Sequence, residues 1–134
     1  MKKKICLVVA NYYPEISNNL IRGASEILKS QGIKNFKIFK VPGVFELPFV
    51  IAKNINIYDA FVALGCVIKG KTPHFDFISI STINAIMHLS ITYKKPISNG
   101  IITCLSKSQA FDRSHKGNNK GEESARVILS LLKI

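Results

Sequence analysis

At 134 residues the chain is long enough for one domain with a substantial core and too short for two ordinary ones. Apolar residues make up 47% of it, which excludes a disordered tail or a low-complexity scaffold. The 19 Lys and Arg against 8 Asp and Glu leave a formal net charge of +11, which raises nucleic acid, membrane or phosphate as partners.

In chain order, Ile5 to Ala10 is an unbroken apolar run bounded by Asn11-Tyr12-Tyr13-Pro14 and predicts a buried first strand. Lys2 to Lys4 ahead of it resemble the start of a signal peptide, but no small-residue cleavage pattern follows. Ile16, Leu20, Ile21, Ala24, Ile27 and Leu28 then fall on one helical face, with Gly32 as the stop. Lys37 to Val41 predicts a second strand, Glu46 to Asn54 a short helix, and Ala60 to Val67 a third strand. A longer helix follows His74, then a strand over Ile97 to Leu105, then helices from about Ser106 and from Asn119 to the end. Strands alternating with helices predict a parallel sheet covered on both faces, a single three-layer α/β domain over residues 1–134. The apolar runs are all far shorter than the roughly 20 residues that span a bilayer, so no transmembrane helix is expected.

The helix after His74 is unusual. Phe75, Phe77, Ile78, Ile80, Ile83, Ile86, Met87, Leu89 and Ile91 spread around most of its circumference, which predicts burial on more than one side, the second against another subunit. Cys6, Cys66 and Cys104 are odd in number and far apart; they read as packing residues in a reducing compartment, the cytoplasm. The basic excess lies in residues 1–40 and 81–134, while residues 41–80 carry three bases and three acids. With only three Arg, well separated, it reads as a Lys-rich surface rather than a nucleic-acid interface.

In open α/β sheets ligands sit beyond the carboxyl ends of the strands, so the segments after each strand carry the candidate chemistry. Gly65-Cys66-Val67-Ile68-Lys69-Gly70-Lys71-Thr72 satisfies the P-loop pattern GxxxxGK[ST]. Cys-Val-Ile is a strand-like run where a phosphate-cradling loop needs small residues, Pro73 follows the Thr, and the one later strand has no Asp for magnesium, so an NTPase is not expected. What survives is a turn at a helix start, Gly70, Lys71 and Thr72, suited to a phosphate monoester. His74 at its mouth could transfer protons near neutrality, or be a hydrogen-bonded structural residue.

Val41-Pro42-Gly43-Val44-Phe45-Glu46-Leu47-Pro48 delivers Phe45, a flat apolar surface, and Glu46, an acceptor for hydroxyls, to a helix start. Glu46 could equally serve only the helix dipole. Tyr12 and Tyr13 offer an aromatic face to a heterocycle, and Arg113 and Lys120 are cations that could serve a phosphate or ordinary surface. No His, Cys, Asp or Glu cluster has metal-ligand spacing, so no metal is expected.

Taken together, VVANYY, RGASEIL, VPGVFELP, YDAFVALGCVIKGKTPHFDF, SNGIIT, SQAFDR and NNKGEESA resemble the 6,7-dimethyl-8-ribityllumazine synthase family almost end to end. The resemblance implies a three-layer αβα sandwich with a four-stranded parallel, flavodoxin-like sheet. It implies condensation of 5-amino-6-(ribitylamino)uracil with 3,4-dihydroxy-2-butanone 4-phosphate through a Schiff base, phosphate elimination and ring closure, with no cofactor.

By the same resemblance Tyr12 would stack on the pyrimidine, Val44, Phe45 and Glu46 would bind the ribityl chain, and Cys66, Val67 and Ile68 would line the ring pocket. Lys71 and Thr72 would hold the phosphate and His74 would shuttle protons. From an adjacent subunit of a pentamer-based homo-oligomer, Asn99 would close the ring pocket, Arg113 would grip the phosphate and Lys120 would support it. Asn99 stands where many relatives have an aromatic residue, and Lys71 where the family is often acidic or small. The chain starts at its first core strand, without the arm that pairs subunits in many relatives, which implies smaller assemblies; the lack of an insertion around Gly117 implies the opposite. Two other readings are a flavin- or lumazine-binding relative without turnover and a basic RNA-binding domain. Retention of His74, Arg113, Glu46 and Lys120 together favours the enzyme.

Overall fold

Ile5–Ala10 offers no polar side chain to either face, so it can only be a central strand, and in the computed structural model, which describes residues 2–134, it is β1 of a four-stranded sheet. The other strands are β2 (Lys37–Val41), β3 (Ala60–Ile68) and β4 (Ile97–Cys104). Every pairing is parallel and the order is β2-β1-β3-β4, with Leu7 opposite Ile38 and Val62, and Cys66 opposite Ile102. The helices are α1 (Pro14–Ser30), α2 (Leu47–Lys53), α3 (His74–Tyr93), α4 (Lys107–Asp112) and α5 (Lys120–Leu131).

Alternation along the strands sorts the core into two layers. Ile5, Leu7 and Val9 pack with Leu20 and Leu28 of α1 and Ile128 of α5, whereas Cys6, Val8 and Phe61 pack with Leu47 and Ile51 of α2 and Ile86 of α3. That is the expected three-layer sandwich. Right-handed crossovers explain the placement, because the chain leaves β1 toward β2 but leaves β3 toward β4, which puts α1 and α3 on opposite faces. The carboxyl ends of β1 and β3 therefore diverge at the switch point, leaving a crevice there.

Several boundaries differ from the sequence reading, each for a local reason. Pro48 is compatible with a first helical turn, and the chain approaches it through a 3-10 turn at Val44–Glu46, so α2 starts at Leu47 rather than Glu46. Pro73 is the N-cap of α3, which begins at His74. α1 ends at Ser30, and Gly32 follows at φ +83°, a left-handed conformation that suits the helix stop read there.

Within the single chain α3 is covered on one side only. Only Ser79, Thr82 and Ile86 are fully buried, while Phe77 is 66%, Ile80 60%, Met87 58% and Ile91 68% exposed. Its apolar outer side is thus uncovered in the single chain. By length and mean hydropathy (1.2) the 20-residue helix also meets the measure of a bilayer span, which the short apolar runs of the sequence had concealed. Its inner side is nonetheless seated on the sheet layer through Ile86, beside Phe61 and Ile101.

One glycine marks where the sheet and α5 press close. A Cβ at Gly100 would meet Leu64 Cδ2, the Ala63 carbonyl and Ser124 Oγ, the last two at 2.8 Å, so β4 and α5 approach only because that side chain is absent. Gly100→Ala is therefore expected to destabilise the fold by about 1–3 kcal/mol through overpacking, read as a lower Tm in thermal unfolding. An unchanged Tm would show that this approach is not tight.

Candidate functional site

The crevice at the switch point is a cleft of about 560 Å3. Tyr12 and Tyr13 enter it from the end of β1, Val44, Phe45 and Glu46 from the turn after β2, and Cys66, Val67 and Ile68 from the end of β3. Gly70, Thr72 and His74 close it at the start of α3. The cleft combines a hydrophobic floor with a few polar groups at the rim, the usual anatomy of a small-molecule site.

Each wall has a local cause. Tyr12 and Tyr13 meet edge to face, with centroids 4.9 Å apart and planes at 75°, and Tyr13 packs on the core while Tyr12 remains 70% exposed. The half-buried ring thereby fixes the exposed one. Val44 is buried and Phe45 is 62% exposed, so the 3-10 turn plugs one side chain into the core and offers the next to the cleft. Gly65 lets this turn approach, since a Cβ there would sit 3.0 Å from both Val44 Cγ2 and Ala10 Cβ.

The P-loop pattern dissolves in the structure. Cys66, Val67 and Ile68 are β-strand residues paired with Ile102, Thr103 and Cys104 of β4, so they cannot wrap a phosphate. Only the short turn after them is free. His74 N donates to Thr72 Oγ1 at 3.4 Å, Thr72 and His74 both line the cleft, and Lys71 is exposed and does not line it.

The Cys66 thiol is pushed up to about 12, chiefly by burial and further by neighbouring Cys104. Cys104 is also raised by burial, against the opposing pull of Arg113. Both thiols are therefore protonated at neutral pH and act as apolar wall rather than nucleophile. Among the described residues no group of three His, Cys, Asp or Glu is arranged to hold a metal.

Asn99, Arg113 and Lys120 do not reach this cleft. They gather in a second hollow of about 390 Å3 along the free edge of β4, together with Thr103, Asn118 and Glu123. Arg113 Nη1 donates to the Thr103 carbonyl at 3.3 Å, which leaves its other donors available. Lys120 Nζ lies 3.2 Å from Glu123 Oε1, and Asn99 Oδ1 accepts from the Ile101 N–H at 3.0 Å. The chain thus carries two separate linings. One has aromatic, carboxylate and imidazole groups; the other has two cations, the Glu123 carboxylate and no aromatic ring.

One residue that the sequence reading gave no role sits between Asn118 and Lys120, two residues that line the second hollow. Asn119 is buried, and its side chain joins α1, the loop after α4 and the start of α5. The sequence signal for it was indirect, a Gly inside each of two predicted helices, Gly23 and Gly121.

A model of the 6,7-dimethyl-8-ribityllumazine synthase family matches residues 2–134. Among curated relatives, 6,7-dimethyl-8-ribityllumazine synthase 1 of Rhodopseudomonas palustris is 38% identical over 98% of this chain and 85% of its own length. The 6,7-dimethyl-8-ribityllumazine synthases of Methylorubrum populi and Bartonella bacilliformis are 39% and 38% identical, covering 98% and 96% of this chain and 82% and 87% of theirs. With the cleft at its switch point and agreement along nearly its whole length, the chain belongs to the 6,7-dimethyl-8-ribityllumazine synthase family.

Proposed function

We propose that the protein condenses 5-amino-6-(ribitylamino)uracil with 3,4-dihydroxy-2-butanone 4-phosphate to 6,7-dimethyl-8-ribityllumazine, releasing phosphate and water, as a step of riboflavin biosynthesis. The observation that carries this reading is the division of the site into a cleft for a flat, hydroxylated molecule and a separate cationic hollow at the sheet edge. In the cleft Tyr12 stacks on the pyrimidine, Cys66, Val67 and Ile68 form its apolar wall, and Val44, Phe45 and Glu46 receive the ribityl chain, with the Glu46 carboxylate accepting from hydroxyls. Thr72 hydrogen-bonds the phosphate end and His74 moves protons between the reacting amine, carbonyl and leaving phosphate. Lys71 contributes charge at the mouth rather than a direct contact.

A hollow at the edge of one chain meets a cleft at the strand ends of another only in an oligomer. Arg113 and Lys120 of a neighbouring copy grip the phosphate, Arg113 with a forked donor pair and Lys120 as a point charge, and that copy's Asn99 closes the ring pocket. The reaction is driven mainly by holding two reactive partners in register, with modest acid–base help. The exposed apolar side of α3 supports a pentamer-based assembly, with neighbouring copies rather than lipid or nucleic acid covering it. Three free, buried thiols suit a reducing, cytoplasmic setting.

Mixing the purified protein with both substrates is expected to give lumazine fluorescence and phosphate release faster than the uncatalysed condensation; no acceleration would sink the reading. His74→Asn is expected to lower kcat by up to about 100-fold. Arg113→Ala should raise KM for the phosphorylated substrate by roughly 10- to 100-fold and leave that for the pyrimidine near its starting value. Equal effects on both would contradict the assignment. Sedimentation should give a mass that is a multiple of five chains, and Ile80→Glu on α3 should dissociate it with loss of activity. An active monomer would overturn the shared site.

A further inference from the structure

Arg113 and Lys120 are seven positions apart, at the two ends of the loop between α4 and α5, yet they line one hollow. Such a loop needs something to hold its ends together, and the structure shows what does. The Lys120 N–H donates to the Arg113 carbonyl at 2.9 Å, closing the loop at its neck. Immediately beneath, Asn119 Nδ2 donates to the Ser114 carbonyl at 2.6 Å and to the Asn19 carbonyl of α1 at 2.9 Å, while Asn119 Oδ1 accepts from the Glu122 N–H at 3.1 Å. All of the polar atoms of this buried side chain are thus engaged, on three separate pieces of the chain.

The surroundings are shaped to admit it. A Cβ at Gly23 would overlap the Asn119 amide, and a Cβ at Gly121 would overlap the Leu20 carbonyl. A glycine in the interior of a helix, as Gly23 is in α1, weakens it relative to alanine, and with Gly121 facing the same amide the close approach is one that the fold maintains at a cost in helix stability. Ser114, on the loop side of the contact, is fully buried.

We propose that Asn119 is a positioning residue for the phosphate-binding pair, setting the separation of Arg113 and Lys120 by tying their loop to α1. This rests on the reading of those two cations as phosphate ligands. Asn119 itself touches no substrate. Its amide supplies the cap that starts α5, and with it the place of Lys120, and supplies through Ser114 the place of Arg113. A serine at 119 keeps the cap, because a hydroxyl can accept from the first turn, but is too short to reach across to Asn19.

The deciding experiment compares Asn119→Ser, Arg113→Ala and the double variant in the assembled protein, with KM for each substrate, kcat and Tm measured for all. Asn119→Ser is expected to raise KM for the phosphorylated substrate by about tenfold while KM for the pyrimidine stays within about twofold, since displacement of a ligand by a fraction of its reach is enough for such a loss. In the Arg113→Ala background the same change should add little. If Arg113→Ala leaves the KM for the phosphorylated substrate unaltered, the reading of the hollow fails, and the proposal with it. If Arg113→Ala raises it but Asn119→Ser, still folded, leaves both KM values unchanged or lowers only kcat and Tm, the residue is merely structural and the proposal is overturned. Should Asn119→Ser not assemble, Gly23→Ala provides the second route. Its added methyl displaces the amide from the α1 side, and the same selective rise in KM is expected; its absence would equally overturn the proposal.

Discussion

β1 and the first seven residues of β3 are buried on both faces, and this constraint orders everything else in the molecule. A strand with no face for water demands a helical layer above and below, and the hand of the crossovers decides which helix goes where. Once α1 is committed to one layer and α2 and α3 to the other, the chain ends of β1 and β3 cannot be covered by the same connection. The cleft is the remainder of that topology. Its floor is the last turn of core packing, which is why its lower walls are apolar and its polar groups lie on the rim.

The cationic hollow has a different origin. β4 is an edge strand, and the hollow is the space between its unpaired edge and the loop that leads into α5. An edge strand with open backbone groups is ordinarily a hazard for unwanted pairing. Here an Arg and a Lys stand beside it, bulky charges that discourage another strand from docking. The same two charges are the ones assigned to the phosphate in the proposed function, so on that reading protection of the edge and recognition of a ligand would draw on one pair of side chains.

Much of the architecture was legible because its signals were local. Six consecutive apolar residues before an Asn-Tyr-Tyr-Pro turn could hardly be other than β1, and the spacing from Ile16 to Leu28 gave the inward face of α1. The rest depended on facts that no local pattern carries. The apolar residues around α3 announced burial, but which of them face the sheet is set by the register of β3 and β4, so the helix emerged with only Ser79, Thr82 and Ile86 fully covered. Lys71 and Thr72 are sequence neighbours with opposite fates, because a tight turn sends adjacent side chains to different sides. Asn119 was legible only as the start of the last helix; its further contacts depend on Asn19, a hundred residues away, which only the packing of α1 against α5 brings near.

The protonated state of Cys66 has a bearing on chemical fidelity. Thiolates add readily to carbonyl carbon, and the ketone of the proposed substrate, with its phosphate leaving group two carbons away, would be an electrophile for them. A cysteine in such a wall would be a rival to the incoming amine if it ionised. Burial holds that thiol near 12, so at neutral pH it is almost wholly in its unreactive form. The cleft thus gains a small polarizable surface whose thiol is kept from reacting with what the cleft admits.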